Sequence, residues 1–163
     1  MTIPGVLGGT GRCPTRRVTQ CRAIRATMRA MSLELIPLCT ATVTLAPTIN
    51  VAPDFVIGEV TGMVVEGERI QATMKGAAAA DWLTVSPAGY GTLDVRVTWE
   101  THDGAIIHAT YSGRLQFDTM TVYATPLFRT GDERYQWLTR IQAVAKGAFQ
   151  PDGTLVYEMY ELR

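Results

Sequence analysis

Histidine is almost missing from this 163-residue chain, which carries only His102 and His108. His102 falls in a turn and His108 on a strand face beside Trp99, so no two His or Cys residues have the spacing of metal ligands. No metal centre is expected. Cysteine is nearly as scarce. Of Cys13, Cys21 and Cys39, two lie within the first thirty residues, so the rest of the chain has no even set from which to build disulfides, as fits a reducing compartment. No apolar run approaches the roughly 18 residues of a membrane span, and the N-terminus lacks the apolar centre of a secretory signal. The expectation is a cytoplasmic protein with no membrane partner. A Ser-containing nucleophile elbow is absent too. The glycine-rich run from Gly5 to Gly11 follows only four residues and soon meets Pro14. A dinucleotide cradle must follow a buried strand and open a helix, so the run is not read as one, and no cofactor is expected.

Acidic residues are unevenly missing. Residues 1–30 hold six Arg and no acid, which leaves nine basic against fifteen acidic residues beyond, a net charge of −6 there within a chain whose total is zero. A globular part of that sign lacks the clustered Lys and Arg that grip phosphates, and nucleic acid is not expected as a partner. Residues 1–30 are read as an Arg-rich, poorly ordered extension. Residues 31–163 are read as a single domain, since 47% hydrophobic content at this length suffices to bury a proper core.

Strand pattern is what the chain does hold. Two runs rich in Val, Ile, Thr, Trp and Tyr flank Asp103-Gly104, a dipeptide suited to a type I′ hairpin turn. With those two residues as the whole loop, Glu100 lies opposite Ile107, Thr98 opposite Ala109 and Arg96 opposite Tyr111. Alternation then puts Asp94, Arg96, Thr98, Glu100, Ile107, Ala109 and Tyr111 on one face, and Val95, Val97, Trp99, Ile106, His108 and Thr110 on the other.

The flanking segments follow suit. Leu33 to Leu45 reads as a strand whose Pro37 marks an edge or a bulge, and a loop with Pro47 and Pro53 follows. Phe55 to Val65 and Glu68 to Met74 pair about Glu66-Gly67. The small-residue loop Gly76 to Ala80 ends at Asp81-Trp82, with a short strand at Thr84 and Val85 and another at Thr121 to Thr125, closed by Pro126. Thr130 caps a short helix reaching Leu138, with Glu133 reaching back to the cap. Arg140 to Phe149 and Thr154 to Leu162 form a last hairpin through Pro151-Asp152-Gly153, where Gly153 takes the left-handed position of a three-residue loop. About eight to ten strands joined by hairpins, with one short helix, predict an all-β fold, an antiparallel up-and-down barrel whose closure removes exposed edges.

Several motifs carry a family likeness. They are Leu35-Ile36-Pro37-Leu38, Ala80-Asp81-Trp82, Thr101 to Ile106, Phe128-x-Thr130-Gly131-Asp132-x-Arg134-Tyr135-x-Trp137-Leu138, and Val156-Tyr157-Glu158-x-Tyr160-Glu161. Together they resemble the bacterial and fungal proteins grouped as domain of unknown function 3237, over residues 33 to 163 and none of the extension. The resemblance implies a compact β-barrel. The chain departs from it at Ala79 and Ala80, where a glycine is common, and at Thr139, where an asparagine is.

Mixed polarity on both faces of the central hairpin suits a wall with solvent outside and a cavity inside. If Arg96 and Tyr111 face inward side by side, the guanidinium favours the phenolate and the pair can bind or protonate a carbonyl oxygen. The alternative is an Arg stacked on a Tyr on the outer surface. Asp81, beside Trp82 at the end of a loop, is a candidate general base or else a turn-maker. Trp82, Glu100, Tyr123, Trp137 and Glu158 are candidate ligand-lining residues, each with core packing or surface pairing as its other reading. Tyr157 and Tyr160 share the ambiguity of Glu158. These residues point to a small organic ligand and to two functions. One is a cofactor-independent lyase, isomerase or cyclase acting on an apolar or aromatic carbonyl compound, with Asp81, Arg96 and Tyr111 doing acid/base work. The other is a carrier or sensor that holds the ligand without turnover. Association into a homo-oligomer is left open.

Overall fold

The computed structural model describes residues 32–163, and the Arg-rich extension expected over residues 1–30 lies outside them. Ten strands form: β1 (Leu35–Leu45), β2 (Ile49–Ala52), β3 (Phe55–Glu66), β4 (Gln71–Met74), β5 (Ala80–Ser86), β6 (Tyr90–Thr101), β7 (Ile106–Gln116), β8 (Thr121–Arg129), β9 (Gln142–Phe149) and β10 (Leu155–Leu162). From β6 to β10 each strand pairs antiparallel with the next, and β1 closes the cylinder by pairing with β10 on one side and β3 on the other. Both β4 and β5 bridge β3 to β6 at different heights, so they act as one stave interrupted by residues 75–79. The short β2 pairs only with the start of β3. The all-β, closed antiparallel barrel that the pattern predicts is therefore what forms, with eight staves built from nine strands, the additional short β2 and a 3₁₀ helix.

Alternation builds the wall. Along β6, Leu93, Val95, Val97 and Trp99 are buried while Asp94 and Arg96 are exposed, as a stave with one face inward requires. Pro37 cannot donate to the ladder, and the β1–β10 register shifts between Pro37 and Cys39, the expected bulge. β2 is exposed at all four positions and shows no alternation, which is why the pattern predicts only a loop there.

One half of the lumen is solid. Trp99 packs against Phe128 with ring centroids 5.5 Å apart, and its indole N–H points at the Met63 sulfur, 3.0 Å away. Ile70, Ile107 and Met159 fill the space around them. The 3₁₀ helix Glu133–Arg140 adds Tyr135 and Leu138 to the same core. Its cap is Asp132, whose carboxylate accepts the Arg134 backbone N–H at 3.0 Å. Thr130, the expected cap, instead donates its hydroxyl proton to the Ile106 carbonyl at 2.8 Å.

The central hairpin departs from expectation by one residue. Thr101 N–H bonds to the Ala105 carbonyl and Gly104 N–H to the Thr101 carbonyl, both at 2.9 Å, and Gly104 has a φ of 85°. The loop is thus the three residues His102, Asp103 and Gly104, a turn with a left-handed glycine, matching the Pro151-Asp152-Gly153 loop of the last hairpin. The Thr101 hydroxyl accepts the Ala105 N–H at 2.8 Å, while Arg134 and the Tyr135 hydroxyl hold the Asp103 carboxylate at 2.9 and 3.1 Å. The extra loop residue slides β7 along β6, so that Arg96 stands opposite Thr110 and Tyr111 opposite Val95. A slip of one exchanges faces: Tyr111 points inward, Arg96 outward.

Candidate functional site

The other half of the lumen is a cavity of about 460 Å³. Val43, Val56, Val60, Leu83, Leu93 and Leu115 are among its walls. It reaches the surface beside Thr48, Asn50 and Met120, all exposed. Three acidic side chains, Asp81, Tyr111 and Tyr157, face into it among these hydrocarbon walls.

Register places them. Gly58 of β3 pairs with Asp81 of β5, Asp81 with Val95 of β6, and Val95 with Tyr111 of β7. Directly opposed residues of an antiparallel sheet share a face, so this row projects together into the lumen. Asp81, expected at the end of a loop, is in fact the second residue of β5. Tyr157 enters from β10, its ring edge-on to that of Tyr111 with centroids 6.0 Å apart and planes at 72°. Its partner in β9 is Gly147, where an added Cβ would come 2.7 Å from the Tyr157 ring. The bare backbone there is what lets the phenol lie across the barrel.

The environment sorts the three groups by charge. Asp81 Oδ1 accepts the Asp94 backbone N–H at 3.0 Å. Burial among apolar side chains nevertheless pushes the Asp81 carboxyl up to about 6, against the pull of that hydrogen bond and with a small push from the Asp94 carboxylate. Burial also drives the phenols of Tyr111 and Tyr157 above their ordinary value, and the nearby Asp81 charge raises both further. At neutral pH the site therefore presents one carboxylate able to take a proton and two neutral hydroxyls able to donate hydrogen bonds.

The structure brings Asp81 and Tyr111 together and leaves the other candidates outside. Arg96 bonds Asp94 at 3.1 Å on the outer face, with its guanidinium 5.3 Å from the centre of the Trp82 ring. Trp82, next to Asp81 in β5, necessarily faces the opposite way. Glu100 pairs with Lys75 at 2.8 Å on the outer face, Tyr123 is 52% exposed, and Trp137 lies 3.6 Å beneath the Arg69 guanidinium. Glu158 is exposed and accepts the Tyr160 hydroxyl at 3.1 Å. Tyr157 was readable but unassigned: it alternates with Leu155 and Met159, both buried, which puts Tyr157 inward and Glu158 outward. Among the described residues no three His, Cys, Asp or Glu side chains gather as metal ligands, and no helix is long and apolar enough to cross a membrane.

The family model described as "Protein of unknown function (DUF3237)" matches residues 33–162. A β-barrel-like protein from Acinetobacter baumannii AYE is 25% identical, covers 81% of this chain and 97% of its own, and superposes with a TM-score of 0.71. A conserved protein of unknown function from Rhodopseudomonas palustris is 21% identical, with coverages of 81% and 98% and a TM-score of 0.74. A protein described as an enzyme from Penicillium herquei is 23% identical, with coverages of 81% and 94% and a TM-score of 0.64. No curated protein matches the sequence.

Proposed function

The chain belongs to the DUF3237 family of proteins of unknown function, and we propose that its barrel is a cofactor-independent enzyme that moves a proton next to the carbonyl of an apolar or aromatic compound. One observation carries the reading: a desolvated carboxylate, tied by one oxygen to the backbone, opens on an apolar cavity beside two neutral phenols. The ligand's carbonyl oxygen accepts hydrogen bonds from Tyr111 and Tyr157. Asp81 takes the proton from the adjacent carbon, the C–H electron pair becomes a C=C bond, and the carbonyl becomes an enolate oxygen held by the phenols. Buried donors aimed at a developing negative charge act more strongly than they would in water. Return of the proton to a different carbon gives an isomerase, and loss of a leaving group from the β-carbon gives a lyase. The enzyme from Penicillium herquei, a barrel of the same shape, lends support to turnover over storage.

The test uses 2-tetralone, a neutral aromatic ketone, in D₂O, with its α-protons followed by NMR. The parent should speed exchange over buffer, and Asp81→Asn should lose about 100-fold or more, the usual contribution of a general base. Because the ionised carboxylate is the base, the rate should rise as pH climbs through about 6 and level off above it. No acceleration by the parent, or equal rates in Asp81→Asn, would leave the cavity as a carrier's.

A further inference from the structure

Glycines within the strands differ in what an added side chain would meet. At Gly91 and Gly147 an added Cβ would come 2.7 Å from the side chains of Leu83 and Tyr157, and at Gly113 it would strike the backbone of β8. At each of these a neighbour already occupies the space. Gly58 is different. An added Cβ there meets nothing within 4 Å, and its φ is not among the positive ones. A glycine weakens a strand interior and commonly marks a place where a ligand or another backbone comes close. No other part of the described chain comes within 4 Å of where that Cβ would stand.

What adjoins this space gives it a use. Gly58 lines the cavity and pairs directly with Asp81, and directly opposed side chains in a sheet stand about 4.5–5.5 Å apart. A side chain at position 58 would therefore share a row with Asp81 on the lumen face, one strand away. Val56 and Val60, two positions either way on the same inner face of β3, wall the space on both sides. The result is a slot with a bare peptide for its floor, hydrocarbon for its sides and Asp81 at its edge. A planar ring fits such a slot, and a flat peptide face suits stacking.

We propose that the open space at Gly58 is a binding subsite for a planar aromatic ring, and that residue 58 sets how large a ligand can bring its reacting carbon up to Asp81. The subsite rests on the reading of the lumen as a ligand site, and it is tested by binding alone. The probe is 2-naphthol, neutral and fluorescent, titrated into the full chain and into Gly58→Ala and Gly58→Val. Both variants should melt no lower than the parent, because the new side chain enters free space and the unfolded chain loses glycine's extra freedom. Affinity for 2-naphthol should fall about tenfold or more in Gly58→Val and less in Gly58→Ala, in line with what added methyl groups do in an apolar pocket. Hexanol, which has no ring, should compete for the cavity with the same affinity in parent and Gly58→Ala, and a loss for hexanol as large as that for 2-naphthol would overturn a subsite for rings. Gly58→Val binding 2-naphthol as tightly as the parent would overturn the subsite. So would a parent that binds none up to the solubility of the probe. Should Gly58→Val fail to fold, an unchanged affinity in Gly58→Ala overturns it instead. A parent that binds 2-naphthol without exchanging 2-tetralone would remove the proton-transfer reading and leave the subsite standing.

Discussion

The two halves of the barrel are built from the same staves and the same alternation, yet one is plugged and the other hollow. On β6 the inward residues run from Leu93 and Val95 at the cavity to Val97 and Trp99 in the solid half; on β10 they run from Leu155 and Tyr157 to Met159. Both halves obey the period of two. What differs is how each half is filled. In the solid half Trp99, Phe128 and Ile107 are joined by Tyr135 and Leu138 of the helix, whereas the hollow half, although Leu83, Leu93, Leu115 and two Tyr line it, has no helix residue in its lining and has only Val56, Gly58 and Val60 along β3. Alternation makes a wall, and what reaches into the lumen from the staves and from the helix decides whether the wall encloses a core or a pocket. The three acidic groups belong to the hollow half, where apolar walls desolvate them while the mouth leaves them open to a ligand.

The largest effect should come from opening the solid half. Trp99→Ala removes a side chain only 1% exposed, together with its Phe128 and Met63 contacts, and should cost about 3–5 kcal/mol, as deleting a buried Trp does. Leu83→Ala widens a space that already exists, so no new sealed void adds to the lost contacts, and the cost should be about 2 kcal/mol or less. Equilibrium denaturation of both variants checks the pair. Equal losses would mean that the hollow half is packed as tightly as the solid one.

Next comes the boundary carboxylate, which should weaken the fold at neutral pH. An unfolded Asp titrates near 3.9, while Asp81 is raised to about 6, so the folded state binds the proton more tightly. The penalty is absent below the unfolded value, grows as pH rises toward about 6 and is constant above. Two units correspond to about 3 kcal/mol at most, less whatever solvent entering by the mouth relieves. Asp81→Asn keeps an acceptor for the Asp94 N–H and removes the charge. It should therefore be more stable than the parent at pH 8 and equal to it near pH 4. The same substitution that ends proton transfer should raise the melting temperature, a separation expected of a functional group and not of a structural one.

The closed barrel was legible because strand alternation and turn dipeptides are local. The register of the central hairpin was not. Asp-Gly serves both a two-residue loop and the tail of a three-residue one, and the choice is made by the Thr101 hydroxyl with Arg134 and Tyr135, which grip Asp103 from about thirty residues away. That tertiary grip sends Tyr111 inward without Arg96. Asp81 was readable as a carboxylate beside apolar sequence, although its strand was not, since the residues before it are too small to show a period. Tyr157 could have been placed from the neighbouring Leu155 and Met159. Gly58 was beyond reach, because a residue without a side chain marks a pocket only once the surrounding wall is known.

The smallest effect separates inside from outside most cleanly. Register from a two-residue loop makes Arg96 a ligand contact, so that Arg96→Ala would weaken binding. The observed register makes it a surface residue whose side chain is 53% exposed and paired with Asp94. An exposed pair of this kind contributes about 0.2–1 kcal/mol, so Arg96→Ala should shift the denaturation midpoint slightly and leave 2-naphthol affinity unchanged. One trace should nonetheless cross the wall. Arg96 offsets the Asp94 carboxylate, which itself pushes Asp81 upward; without the guanidinium that push is uncompensated, and the pH at which exchange begins to rise should move up. High salt should erase the shift, because the Asp94–Arg96 pair is open to solvent. A tenfold loss of 2-naphthol binding in Arg96→Ala would put the arginine inside the barrel and return the site to the arrangement that the shorter loop demands.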